Sequence, residues 1–98
     1  MPSTEVLHEF KSHIEGKNAI VRVYEDRIEW EQTGLLTFSR KRNTTVIPMK
    51  SITSVITHKA GVMSFTVVKV VTAGGSLEMR VTKDEAHSIK DLVLSKIL

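Results

Sequence analysis

Histidine, lysine and arginine are the residues of this chain best able to do chemistry, and their spacing decides which kind. His8 and His13 are five apart in a segment whose apolar residues recur at helical spacing. On a helix they would sit about 140° apart, too far round to share one metal ion. His58 and His87 have no ligand pattern beside them, and the absence of cysteine excludes both a disulfide framework and a thiolate zinc site. Gly74-Gly75 lacks the surrounding pattern of a phosphate-binding loop. Catalysis needs a nucleophile or metal, an acid or base, and a charge stabiliser brought together. The sequence offers no such set, and the expectation is a non-enzymatic protein with no cofactor and no small-molecule substrate.

Charge is segregated along the chain. Between Gln32 and Leu77 there is no acidic residue, while Arg40, Lys41, Arg42, Lys50, Lys59 and Lys69 contribute +6; the first 31 residues sum to −3 and residues 78–98 to zero. Arg40, Lys41, Arg42, Lys50 and Lys59 are therefore the candidate anion-binding residues, able to meet acidic lipid or nucleic acid if they converge in space. A basic hairpin tip also keeps a sheet edge soluble, and three cations without interleaved aromatic residues make a poor nucleic-acid platform. Trp30, which alternates with Ile28, reads as a core residue, and Met49, Met63 and Met79 as core or rim fillers.

These residues must be held by a single domain, because 98 residues supply one hydrophobic core and not two. The acidic Met1–Glu5 segment does not resemble an export leader. The apolar stretch Val62–Val71 is interrupted by Ser64, Thr66 and Lys69 and is well short of the ~20 residues of a membrane-spanning helix. A cytoplasmic protein, peripheral to a membrane at most, is expected.

Val6, Leu7, Phe10 and Ile14 predict a short N-terminal helix within residues 4–14. Residues 19–24 and 27–33 predict a hairpin around Glu25-Asp26, followed by strands at Leu35–Phe38, Thr44–Pro48, Ile52–His58 and Met63–Thr72. Gly74-Gly75 then turns the chain into Ser76–Thr82. Thr82-Lys83-Asp84-Glu85 has the form of a capping box and opens a final amphipathic helix bearing Ala86, Ile89, Leu92 and Val93. Seven short strands must bend into a sandwich or partly open barrel to bury their apolar faces, with the last helix over the open end.

Phe65, Val67, Val68, Val70 and Val71 make one strand apolar on both faces. Such a strand is covered twice, by the core and by a helix or another chain, so these five are the candidate interface residues.

Val23-Tyr24-Glu25-Asp26-Arg27-Ile28, then Ile47-Pro48-Met49-Lys50-Ser51-Ile52-Thr53-Ser54-Val55, then Lys59-Ala60-Gly61 resemble, in order and spacing, the bacterial pleckstrin-homology-like domains often found beside an oligomerisation segment called SHOCT. The resemblance covers roughly residues 16–98. It implies a mainly β (α+β) pleckstrin-homology-like domain, a seven-stranded antiparallel barrel with a C-terminal capping helix; the helix predicted from the apolar spacing makes residues 1–15 an N-terminal helical extension to it. It also implies a bacterial or phage origin. Eukaryotic pleckstrin-homology domains place a basic phosphoinositide site around the first strand turn; the turn here is the acidic Glu25-Asp26, so that site is not carried over. The leading expectation is a protein-interaction or self-assembly module whose partner is another protein or a second copy. The alternative is a peripheral anion binder acting through residues 40–59.

Overall fold

In the computed structural model, which describes residues 4–14, 17–32, 44–59 and 65–98, burial alternates residue by residue over residues 9–14, 18–23 and 78–82. Strand β1 spans His8–Ile14, β2 Lys17–Val23, β3 Arg27–Gln32 and β4 Thr44–Pro48. A 3-10 turn at Met49–Ser51 leads to β5 (Ile52–Lys59), β6 (Phe65–Thr72), β7 (Gly75–Thr82) and helix α1 (Lys83–Ile97). All pairings are antiparallel, in the order β4-β3-β2-β1-β7-β6-β5. The fold is mainly β: two meanders, β1–β4 and β5–β7, joined along a β1–β7 seam.

The expected N-terminal helix is a strand. Phe10, Ser12 and Ile14 are buried while Glu9, Lys11 and His13 are exposed, a two-residue period rather than a helical one. The polar member of the buried row, Ser12, disguises that period in the sequence. Its hydroxyl donates to the Arg80 carbonyl across the seam at 3.0 Å, which removes the cost of burying it. Residues 8–14 are thus a middle strand of the sheet and not an extension to it. The expected strand at Leu35–Phe38 lies outside the described residues.

The expected barrel is likewise corrected to a sheet that does not close, with β4 and β5 as its edges. Pro48 has no N–H to donate at the end of β4, and the chain leaves it through the 3-10 turn rather than pairing onward. Ser51 Oγ donates to the Pro48 carbonyl at 2.8 Å and tightens that corner. Because only Met49–Ser51 separate the two edge strands, Pro48 and Ile52 are at most about 15 Å apart, and the sheet must curl.

The concave face holds the core. Ala19, Val21 and Val23 of β2, Ile28 of β3, Val55 of β5, Val68 and Val70 of β6 and Met79 and Val81 of β7 meet Ala86, Ile89 and Val93 of α1. The helix begins where it should: Thr82 Oγ accepts the Glu85 N–H at 3.3 Å. The Glu85 carboxylate, however, does not complete the box; it meets His8 Nε2 at the start of β1, and His8 stacks on Phe10. At the other end Lys96 Nζ lies 2.7 Å from Glu25 in the β2–β3 turn. The helix packs its apolar side on β5, β6 and β7 and is tied to the first meander at both ends, by the His8–Glu85 hydrogen bond and by the Lys96–Glu25 ion pair.

Candidate functional site

Burial separates the five candidate interface residues into two sets. Val68 and Val70 point inward and have no accessible surface. Phe65 and Val67 point outward with Lys69 and Val71; Phe65 is 41% exposed, Val71 is half-buried, and Val67 keeps only 8% because His58 and Arg80 stand directly opposite it on the neighbouring strands. The cover that β6 requires on its inner face therefore comes from α1. Its outer face is left to solvent, where Ile56 of β5, 47% exposed, joins the apolar strip beside Lys69.

Of the candidate anion-binding residues, Arg40, Lys41 and Arg42 lie outside the described residues. Lys50 is exposed in the 3-10 turn and Lys59 exposed at the far end of β5. The strand between them runs seven residue steps from Ile52, about 23 Å at 3.3 Å per residue. These two cations are not brought together.

Two features escaped the sequence reading. The first is a set of cations on the convex face. Lys69 faces Glu78 across β6 and β7, Arg80 faces Val67 on one side and His13 on the other, and Lys11 is two residues from His13 on the same face of β1. Among the described residues none of these three cations forms an ion pair. Only the register, set by pairings up to 67 positions apart in the case of His13 and Arg80, places them side by side.

The second is an open groove of about 340 Å³ between β4 and the β6–β7 turn, with Trp30, Ile47, Pro48 and Leu77 among its walls. Trp30 is half-buried, and its indole N–H is shielded from solvent with no acceptor among the described residues. An unmet buried donor of this kind costs about 1–3 kcal/mol. Gly75 forms the turn with φ +147°, a conformation side-chain-bearing residues rarely adopt.

The convex face of the first meander is chemically different. Arg22 Nε donates to Glu9 at 2.8 Å and its Nη1 to Glu31 at 3.4 Å; Arg27 donates to Glu29 at 2.5 Å and to Asp26 at 2.7 Å, with its guanidinium 3.8 Å from the centre of the Tyr24 ring. The hydrogen bond to Glu9 is the main reason the Arg22 pKa rises above its ordinary value, and that to Glu29 does the same for Arg27. Both stay cationic throughout the working pH range.

His8 and His13 sit five apart in a strand and so face opposite sides of the sheet. Among the described residues no group of three or more His, Asp or Glu side chains is arranged to hold a metal ion, and no helix is long and apolar enough to cross a membrane. No family model matches the chain, and no curated protein matches it in sequence.

Proposed function

We infer that this chain is a non-enzymatic protein-interaction module of pleckstrin-homology-like fold. Seven antiparallel strands followed by a C-terminal helix support this reading, although the sheet does not close and its first strand lies in residues 8–14. The observation that carries the functional reading is the convex face of β5 and β6. There Ile56 and Phe65 are exposed beside Val67 and Val71, on a sheet whose other face already has its helix. Ile56 and Phe65 still expose about half of their surface, so covering each contributes about 1 kcal/mol and a partner must add polar or charged contacts to them.

Self-assembly is the form of this function that needs no second gene product. Light scattering at low and high salt tests it: a mass above monomer that persists in salt and falls to monomer in Ile56→Glu/Phe65→Glu supports assembly through this face. A wild type that is monomeric at high concentration removes self-assembly and leaves a different protein as the partner. The peripheral anion-binding alternative is not favoured by the separated Lys50 and Lys59. It predicts liposome or DNA binding that is lost when these and residues 40–42 are neutralised.

A further inference from the structure

We propose that the convex face of β6, β7 and β1 docks an extended acidic segment of a partner protein, one in which carboxylates alternate with apolar residues. This rests on the protein-interaction reading and names the partner's chemistry.

The register carries the argument. Lys69 shares a row with Ile56 and Glu78, Arg80 shares the next with Val67 and His13, and on β1 Lys11 lies one row further along. The cations therefore climb a diagonal across three adjacent strands, each step about 7–8 Å. Beside them runs an apolar strip, Ile56 to Val67 to Phe65. In an extended chain, alternate side chains on one side repeat about every 6.8 Å. A segment laid between the two lines would set its carboxylates on the cations at nearly their own spacing and its apolar residues on the strip. The cations have no ion partner among the described residues, so no internal pair must be broken to receive them.

Other occupants fit less well. Glu78 lies in the middle of the face beside Lys69, where a bilayer or a polynucleotide of uniform negative charge would meet it; a peptide can leave a neutral residue there. A second copy stacked on the same face sets Lys11, Lys69 and Arg80, offset only by Glu78, against the same net positive set. The chain's own alternating acidic stretch, Glu29-Trp30-Glu31, is held in β3 with Glu31 only 7% exposed.

The test is selection of displayed random peptides on the folded protein, followed by amide chemical-shift mapping of the selected sequence. A consensus with acidic residues at alternate positions, shifting Val67, Lys69 and Arg80, is the expected result. Lys69→Glu/Arg80→Glu should then weaken that peptide at least tenfold, and a peptide with lysine in place of the acids should bind this variant better than the wild type. Lys59→Glu should bind the original peptide unchanged. Amide spectra of each variant confirm that it is folded. A consensus without acids on the same face overturns the acidic partner while leaving the interaction reading in place. Failure to enrich any peptide, or mapping to a different surface, overturns the proposal. Binding of phosphatidylserine vesicles or a single-stranded oligonucleotide to this face with no peptide bound overturns both.

Discussion

The two meanders share one core and one pattern of inward-facing residues, yet their convex faces were built in opposite ways. On β2 and β3 each arginine is engaged by neighbouring carboxylates: Arg22 by Glu9 and Glu31, Arg27 by Asp26 and Glu29. On β6 and β7 the cations Lys69 and Arg80 have no partner among the described residues and stand beside exposed Ile56 and Phe65. The first face has its arginines paired within the fold, although Val46 of β4 is 51% exposed on it. The second leaves its cations without ion partners among the described residues, so the two faces differ in charge and not in exposed apolar area.

The comparison fails at its root if the second meander does not depend on α1 for its inner cover. A chain ending at Lys83 should lose cooperative melting and amide dispersion, since Ala86, Ile89 and Val93 close the core over Val68 and Val70. Retention of both would mean that the sheet buries itself without the helix.

Within the core the expected effect is smaller but still large. Ile89→Ala should cost about 2–5 kcal/mol in urea titration, and replacing Val68 and Val70 by threonine should also destabilise the fold, because both lie inside it. Mild loss for either would place them at a surface.

The seam between the meanders is tested by Ser12→Ala. Loss of its bond to the Arg80 carbonyl should cost about 1–3 kcal/mol, with β1 and β7 amides exchanging faster while those of β3 are unaffected.

The contrast between the convex faces themselves gives the smallest stability changes and the sharpest functional one. Glu9→Gln should cost no more than about 1 kcal/mol and less in high salt, as expected of an ion pair whose carboxylate is half-exposed. Ile56→Glu/Phe65→Glu should alter stability by about 0.5 kcal/mol or less per site and yet abolish association. A stability loss at Ile56 as large as that at Ile89 would make this strip part of the core and not a docking face.

Much of the fold is legible in local sequence. β2, β3 and β7 alternate in residue type, Glu25-Asp26 and Gly74-Gly75 mark their turns, and Thr82 marks the start of α1 through its own backbone neighbours. Each of these signals acts over a few residues and does not need the rest of the chain. β1 is different: Val6, Leu7, Phe10 and Ile14 fit a helical period, and what makes the segment a strand is pairing with β2 and a hydroxyl that finds Arg80 at a distance of 68 residues. The apolar character of both faces of β6 was likewise readable, but which face meets α1 was not, since alternation defines two faces and only packing chooses between them. The same holds for charge. Sequence drew attention to the basic middle of the chain, whereas Lys69 from that stretch and Lys11 and Arg80 from outside it become neighbours only because antiparallel register brings β6, β7 and β1 together. Periods, turns and caps are properties of adjacent residues and were determined by the sequence itself; the choice of faces and the assembly of a site from distant strands depend on non-local pairing, which only the tertiary structure decides.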